Sequence, residues 1–418
     1  MGENFGETGE FKESLRAVKE RLGVRCLSKG EHNVANRLLM TGCDALGYSY
    51  EATGQNWSSR GDDDGNDDVM GYTCFGERYG RKRGTLATFL ADAVATGRTK
   101  ILTGVVVEKV LFEDKNRPRV ATGVQYRSND DETCFRVDAR KLVIVSAGSL
   151  HTPPLLRRSG IKNDAHIGKH LHLHPVISAT GWYPRAVASY LGPPMTVVCD
   201  EFSSEYGCRL EIPCAHTGLA AAASPSGRSG RAFREMMISV ERACPIIVLQ
   251  RDRSEGEIDR NGRVRYEIRN EEDQRSMVRG LLGAVRILAA SGAEKIATCH
   301  YDDDGMTFSS NDENREEMLE SYLTKLEQLF LKDLSSPHKI GLFSAHQMGS
   351  CRMGASPDDG AVDGNGKLWE CDNLYIMDAS LFPTASGANP MITTMTISHL
   401  LCTRLIRRMR QEEMENEG

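Results

Sequence analysis

The segments HQMGSCRMG at 346–354 and LYIMDASLFPTASGANPMITTM at 374–395 decide how the rest of this 418-residue sequence is interpreted. In the first segment, a histidine precedes a turn with two glycines, which is too tight for the interior of a helix or a strand. In the second, an apolar strand ends on Asp378. A helix is predicted to follow from Asn389-Pro390 to about residue 408, because Asn caps helices well and Pro favours the first helical position.

A strand, a glycine turn and a helix also follow one another earlier in the chain. VIVSAG at 143–148 is followed by a helical pattern at 150–158. Turns of this kind occur in α/β domains that bind dinucleotides. The fold class predicted from both segments is α/β, or α+β for the chain as a whole.

The middle of the chain has a different pattern. Residues 175–250 contain several short β-branched segments, which predict a separate sheet. Asn261-Gly262 predicts a hairpin at 258–268, and the spacing of apolar residues predicts a helix at 271–291.

The first part of the chain is predicted to contain helices and then strands. Two helices are expected within 11–48, the second ending at Gly47, and strands are expected at 101–112, 122–126 and within 134–145. Between them a helix is predicted at 84–94, whose apolar face would be formed by Leu86, Phe89, Leu90 and Ala93. The acidic run GDDDGNDD at 61–68 is interpreted as a solvated loop, because its glycine is misplaced for a calcium loop and the distal Glu is absent.

The composition excludes several classes of protein. The net charge is −6, and the sequence contains no run of five like charges. Both observations argue against a nucleic-acid partner. No apolar run approaches the roughly 18 residues of a transmembrane span, and the N-terminal stretch lacks the apolar core of a secretory signal. Twelve cysteines without a Cys-x-x-Cys pair favour reduced thiols, an intracellular location and no metal.

The two C-terminal segments resemble the signature of the glucose-methanol-choline (GMC) family of flavin-dependent oxidoreductases. GSLHTPPLLRRSGI at 148–161 is similar to a second signature of that family, and HLHLHPV at 170–176 resembles the branch of long-chain fatty alcohol oxidases. The resemblance implies an incomplete Rossmann-like FAD domain with an inserted antiparallel-sheet substrate domain. The domains would be residues 1–160 and 336–418 for the FAD part and 161–335 for the substrate part.

The resemblance also implies a reaction and its residues. FAD would be the cofactor, and a long-chain primary alcohol would be the substrate, oxidised to an aldehyde by hydride transfer to the flavin. His346 would be the catalytic base, a role that suits a neutral imidazole, and Asn389 would bind the substrate oxygen. The residues implied to contact FAD are Val107, Asp378, Ala379, Pro390 and Met391.

Other chemical interpretations of these motifs stay open at this point. His346 could be a structural histidine in a turn. His170, His172 and His174 alternate, so a strand would place all three on one face and allow a metal site, although packing is favoured. Cys351 could be a nucleophile, but a buried packing thiol is favoured because His346 is the only neighbouring base identified.

One element that such an FAD site requires is missing from the sequence. G-x-G-x-x-G, which binds the pyrophosphate of a dinucleotide, does not occur. The expected partner is therefore an N-terminal segment or chain that completes the site, and membrane association is expected only of such a longer form. The first hypothesis is an FAD-dependent alcohol oxidase or dehydrogenase, and the second is a flavin-free relative that acts as a binding or interaction protein.

Overall fold

The structure is a computed structural model that describes residues 6, 8–56, 82–113, 118–129, 133–223, 229–308, 314–344 and 346–417. The acidic run at 61–68 lies outside the described residues. The described helices are α1 Gly9–Leu22, α2 Val34–Leu46, α3 Phe89–Ala95, α4 Thr152–Arg158, α5 Thr217–Ala223, α6 Gly230–Ile238, α7 Glu271–Ala290, α8 Arg315–Asp333 and α9 Met391–Glu417.

The strands form four sheets within the described parts of the chain. The strands are β1 Tyr50–Ala52, β2 Val105–Glu113, β3 Val120–Ser128, β4 Cys134–Asp138, β5 Val143–Val145, β6 Pro175–Trp182, β7 Val197–Cys199, β8 Cys208–Glu211, β9 Ala243–Gln250, β10 Glu257–Ile258, β11 Val264–Arg265, β12 Lys295–Thr298, β13 Met306–Thr307, β14 Phe343–Ser344 and β15 Leu374–Ile376. The largest sheet is antiparallel and has the order β1-β7-β8-β9-β6-β12-β13, with β14 also paired to β6. The other sheets are β2-β3-β4, the hairpin β10-β11 and the parallel pair β15-β5.

The large sheet and helix α7 share the first hydrophobic core. Alternate residues of β6, such as Ile177 and Ala179, point into this core, as a strand with one buried face requires. Helix α7 begins where the Asn270 side chain accepts hydrogen bonds from the backbone N–H groups of Glu272 and Asp273. Its apolar face covers the sheet, so the separate antiparallel unit expected from residues 175–250 is confirmed.

A second core surrounds the parallel pair of strands. Leu374 of β15 lies opposite Val143 of β5, and Ile376 lies opposite Val145. The Met377 N–H continues the ladder to the carbonyl oxygen of Val145, at 3.0 Å. The mixed fold class predicted from the sequence is therefore confirmed, with the parallel strands at the two places where the signatures lie.

The second N-terminal helix ends at Gly47, as the sequence predicts. Thr8 caps α1 and Asn33 caps α2, each by accepting a backbone hydrogen bond, and Gly23 and Gly47 end the two helices in the left-handed region. Helix α2 and strand β1 pack with the first core, whereas strands β2, β3 and β5 contribute to the second.

The prediction for residues 84–94 is only partly correct. The α-helix starts later, at Phe89, after a short 3-10 turn at Thr85–Ala87. The expected apolar face is not buried, and the Leu86 side chain is 80% exposed. Nearby apolar side chains of β2 and the segment before it, including Ile101, Leu102 and Val106, are exposed as well.

A membrane-spanning helix must be both long and apolar. None of the helices within the described ranges is long and apolar enough to cross a bilayer.

Helix α2 packs tightly against α7 in the first core at a glycine. A Cβ atom at Gly42 of α2 would lie 2.4 Å from the carbonyl oxygen of Ile287 in α7. Gly42→Ala must therefore push the two helices apart, and we expect it to lower the free energy of unfolding by about 1–3 kcal/mol. Urea unfolding of both proteins measures the change.

The matched control is Gly9→Ala at the start of α1. No atom lies within 4 Å of an added Cβ there, and the backbone does not occupy the left-handed region. We expect a change of no more than about 0.5 kcal/mol in this variant. Equal losses in the two variants would contradict the close-contact explanation.

Candidate functional site

His346 follows β14 and is held against the segment that leads into β6. Its backbone N–H donates to the carbonyl oxygen of Leu173 at 3.2 Å. Its ring lies edge-on to the ring of His174, and the two Nδ1 atoms are 3.1 Å apart. The His346 side chain is half-buried, and burial lowers its pKa to about 4, so the imidazole is neutral at pH 7.

The backbone of His174 is fixed by a buried carboxylate. The N–H of His174 donates to Oδ1 of Asp252 at 3.1 Å, and the N–H of Leu173 donates to Oδ2 at 3.0 Å. The Tyr266 hydroxyl donates to Oδ2 as well, at 2.9 Å. Burial raises the pKa of Asp252, but the interactions with His172 and the Leu173 N–H outweigh it, so the pKa is lowered and Asp252 is an anion.

These contacts stabilise an unusual backbone conformation. His174 has φ 45°, in the left-handed region that residues other than glycine rarely occupy. His174 has no exposed surface, and the strain of its backbone is offset by the hydrogen bonds to Asp252.

His174 links the two sequence motifs in space. Its Nδ1 contacts His346 of the first motif, and its Nε2 accepts a hydrogen bond from the Gly387 N–H of the second motif at 3.1 Å. Gly387 lies two residues before Asn389, so one buried imidazole joins the segments that carry the predicted site residues.

The role predicted for Asn389 as a helix cap is wrong. Helix α9 begins at Met391, and its first turn closes with the Thr394 N–H donating to the carbonyl oxygen of Pro390 at 2.7 Å. The Asn389 amide instead points to the large sheet, where its Nδ2 lies 3.3 Å from Oε2 of Glu211 and 3.4 Å from Sδ of Met195.

Glu211 is a residue of the site that the sequence analysis missed. It lies at the end of β8, is 2% exposed, and burial raises the pKa of its carboxyl to about 7. The available signal in the sequence was an acidic residue within the apolar run at 210–213. An ionised carboxylate is rarely buried without a charged partner, so an acid in such a run marks an unusual environment.

Asp378 has a structural role at the end of β15. Its Oδ2 accepts hydrogen bonds from the Gly148 N–H at 2.9 Å and from Oγ1 of Thr152 at 2.7 Å. Its Oδ1 accepts one from the Ser380 N–H at 2.7 Å. Both carboxylate oxygens therefore bind the protein, and the FAD contact predicted for Asp378 stays a prediction.

The other residues predicted to contact FAD are accessible to different degrees. Val107 is 38% exposed on β2, and Met391 is 45% exposed at the start of α9. Ala379 and Pro390 are half-buried. Their contact with FAD stays a prediction.

The alternation of His170, His172 and His174 does not place these residues on one strand face. Strand β6 begins only at Pro175, and His170 as well as His174 has a positive φ. Nδ1 of His170 lies 2.8 Å from Oε2 of Glu255, whereas His174 contacts His346. His170 and His174 thus contact different partners, and the strand face on which a shared metal site was considered does not exist at these residues.

Cys351 has the surroundings of a packing residue. It has no exposed surface and belongs to the second core, and burial raises the pKa of its thiol. A thiol that is not ionised is a poor nucleophile.

A cavity of about 730 Å³ lies on the face of the large sheet opposite the first core. The β6 side chains that alternate with its core residues line it, and helix α6 contributes Phe233 and Met236. Phe343 and Ser344 of β14 lie at the cavity as well, two to three residues before His346. The cavity therefore lies beside the segment that carries His346.

Family models and known proteins match this chain over most of its length. Two models described as GMC oxidoreductase match residues 1–176 and 253–398. The long-chain-alcohol oxidases FAO4A and FAO3 of Arabidopsis thaliana are 35% and 34% identical over 94% and 97% of this chain. These matches cover 53% and 54% of the relatives, so the chain spans about half the length of the curated relatives it matches.

Solved structures show the same fold at low sequence identity. Pyridoxine 4-oxidase from Mesorbium loti is 16% identical and has a TM-score of 0.61, over 91% of this chain and 71% of the other. Formate oxidase of Aspergillus oryzae, in a structure concerned with FAD modification, is 13% identical with a TM-score of 0.61, over 92% and 72% of the two chains. Because the two family models together cover more than half of its residues, this chain belongs to the GMC oxidoreductase family.

Proposed function

We propose that this chain carries the substrate-binding and reacting part of an FAD-dependent oxidase or dehydrogenase that converts long-chain primary alcohols to aldehydes. The observation that carries the proposal is the position of the 730 Å³ cavity beside β14, which ends two residues before His346. The long-chain-alcohol oxidases among the relatives support the same substrate class.

The cavity suits an alkyl chain. Its lining includes Val176, Trp182, Ile247, Phe233 and Met236. Each methylene group moved from water into such surroundings contributes about 0.8 kcal/mol to binding. An alcohol whose chain lies along β6 would have its hydroxyl end near β14, which pairs with the beginning of that strand.

The described residues fit one end of an FAD site. Pro390 and Met391 lie at the first turn of α9, where a helix N-terminus favours negative charge, and would hold the ring end together with Ala379. Val107 on an exposed part of β2 would contact the adenine end. When bound, FAD supplies the acceptor for the hydride that leaves the alcohol carbon.

We assign His346 and Asn389 to the alcohol oxygen in this reaction. His174 connects the segments on which the two residues lie, and Glu211 orients the Asn389 amide through a hydrogen bond. The proposal that His346 is the base requires a ring nitrogen without a proton to face the hydroxyl group.

The experiment that tests the proposal is the absorption spectrum of the purified chain with added FAD. We expect a resolved band of bound flavin near roughly 450 nm that a long-chain primary alcohol bleaches without oxygen. Thr180→Phe, which fills the cavity about four residues along β6 from the β14 pairing, should slow bleaching by long alcohols more than by short ones. Thr180→Ser, which preserves the space, is the matched control.

A folded chain that retains no flavin would contradict the proposal and favour a flavin-free binding protein. Equal bleaching by long and short alcohols in Thr180→Phe would contradict the assignment of the cavity to the alkyl chain.

His346→Ala tests the assignment of the reacting group. We expect the rate of flavin bleaching to fall by roughly 10² to 10⁴, the range for groups that act on the transferred proton or the oxygen. The control is His338→Ala, because His338 is an exposed histidine that lies outside the motif, eight residues before His346. A near-normal rate in His346→Ala would remove this residue from the reaction.

Glu211→Gln tests the burial of the carboxyl beside Asn389. Burial raises the pKa of Glu211 from 4.5 to about 7, so the folded chain keeps this proton at pH values where the unfolded chain has released it. The contribution of the Glu211 carboxyl to the free energy of unfolding is fully present below about pH 4.5 and is lost as the pH rises through about 7. Gln cannot titrate, so its free energy of unfolding does not fall with pH for this reason. The difference in free energy of unfolding between the variant and the native chain should therefore shift in favour of the variant by at most about 3 kcal/mol from pH 5 to pH 8.

Urea unfolding at both pH values measures this difference. Glu241→Gln changes an exposed carboxyl and serves as the control, for which we expect no pH-dependent gain. A Glu211→Gln difference that is the same at pH 5 and pH 8 would show that the buried carboxyl does not titrate as described.

A further inference from the structure

Two polar side chains in the lining of the cavity have no hydrogen-bond partner. Ser189 is 1% exposed, and its Oγ is paired with no protein group among the described residues. The indole N–H of Trp182 is also buried, and it has no acceptor in the described parts of the chain. Both residues line the 730 Å³ cavity. Buried polar groups of folded proteins are nearly always paired, so two unpaired groups at one cavity point to a ligand that pairs with them.

Trp182 lies at the end of the cavity that is remote from β14. Strand β14 pairs with Pro175 and Val176 at the beginning of β6, whereas Trp182 is the last residue of β6. Alternate residues of a strand point to the same face, and the lining includes every second residue from Val176 to Trp182. An extended strand of this length measures about 20 Å. A long alkyl chain therefore separates the indole N–H from the end of the cavity beside His346.

Ser189 lies at the same end of the cavity as Trp182. The N–H of Ala188 donates to the carbonyl oxygen of Glu241 at 2.8 Å. Two residues after Glu241, Ala243 pairs with Trp182 across β9 and β6. These contacts bring the turn before Ser189 next to the end of β6. A serine hydroxyl rotates and can both donate and accept, whereas an indole N–H only donates, so a group that pairs with both contains an oxygen that accepts a hydrogen bond.

The charges around the cavity favour a neutral oxygen group over an anion. The described lining contains two basic and four acidic side chains, which are Arg242, Lys295, Glu235, Glu294, Asp303 and Asp304. A carboxylate at the far end of a substrate would meet this excess of acidic groups and would also lose its water. A terminal hydroxyl group carries no charge, and it can accept from the indole N–H while it donates to Oγ of Ser189.

We propose that Ser189 and Trp182 form a polar subsite at the far end of the cavity, which binds a second hydroxyl group of the substrate, at the chain end opposite the reacting one. The ligand class is a long-chain diol with one hydroxyl group at each end. Oxidation of such a diol rests on the proposed function. Its binding does not, since the cavity and the two unpaired groups belong to the protein alone.

The first test is equilibrium dialysis of the whole chain, without added FAD, against ¹⁴C-labelled dodecane-1,12-diol and 1-dodecanol. A ligand that leaves buried polar groups unpaired binds less well than one that pairs with them, so we expect the diol to bind about tenfold more tightly. In a cavity that accepts only an alkyl chain, the second hydroxyl group would lose its water without gaining a partner. Diol binding that is equal to or weaker than that of 1-dodecanol would therefore overturn the proposal.

Two related compounds test the position and the charge of the far group. Dodecane-1,2-diol has both hydroxyl groups at one end, so we expect it to bind no more tightly than 1-dodecanol. The same gain in affinity for both diols would place the second hydroxyl group elsewhere and rule out the subsite. We expect 12-hydroxydodecanoate to bind more weakly than dodecane-1,12-diol, and tighter binding of this anion would overturn the choice of a neutral group.

Two variants test the residues of the subsite. Ser189→Ala and Trp182→Phe each remove one unpaired group, and each should lower the preference for dodecane-1,12-diol over 1-dodecanol by about three- to tenfold. A change in cavity shape that affects both ligands equally cancels in this ratio. If one variant does not fold, the other still decides. A preference that stays as in the native chain in every folded variant of the pair would contradict the assignment.

The matched controls are Ser336→Ala and Trp369→Phe. Ser336 is an exposed serine outside the cavity lining. Trp369 also has a buried indole N–H without a partner among the described residues, but it does not line the cavity. We expect both controls to keep the preference of the native chain. A loss in Trp369→Phe as large as that in Trp182→Phe would show that the effect does not come from the cavity.

Bleaching of bound flavin separates this proposal from the proposed function. Dodecane-1,12-diol should bleach the flavin at lower concentrations than 1-dodecanol does. Absence of bound flavin would contradict the proposed function and leave the dialysis result intact. Bleaching by 1-dodecanol, combined with equal affinities for the diol and 1-dodecanol, would leave the proposed function standing and overturn the subsite.

Discussion

The site depends on the buried carboxylate of Asp252. An anion without exposed surface is stable in a protein only if donors surround it, and here these are the N–H groups of Leu173 and His174 and the hydroxyl of Tyr266. Asp252 follows β9, whereas Tyr266 lies beyond the β10-β11 hairpin. The carboxylate thereby connects three segments and fixes the strained turn from which His174 reaches His346.

The site forms where the chain passes from one hydrophobic core to the other. Ile340, before β14, belongs to the core of the large sheet, and Met348 belongs to the core around β5 and β15. His346 lies between these two residues, so its position is determined by both cores. The His172 N–H donates to the carbonyl oxygen of Met348 at 2.9 Å, and this bond joins the cores beside the site.

Local sequence was sufficient to predict many of the helices and strands but not the contacts between them. The strand before Asp378 and the end of α2 at Gly47 were predictable because apolar runs, acids and glycines act within a few residues. The direction of the Asn389 amide was not, because it depends on Glu211, which is 178 residues away in sequence. The prediction of an apolar face that includes Leu86 was wrong about burial for a related reason. Periodicity identifies an apolar face but does not show what covers it.

At pH 7 the two imidazoles next to β14 carry no charge, whereas Glu211 is partly ionised. His174 and His346 are neutral because burial lowers their pKa values, and burial raises that of Glu211 to about 7. The ionised Asp252 is surrounded by donors of the protein and contributes no free charge. A long-chain alcohol that bound in the cavity, as proposed, would lose water from its alkyl chain, which is favourable. Burial thus keeps His174 and His346 uncharged beside a cavity whose lining is mostly apolar, and this combination would suit the apolar substrate proposed for the site.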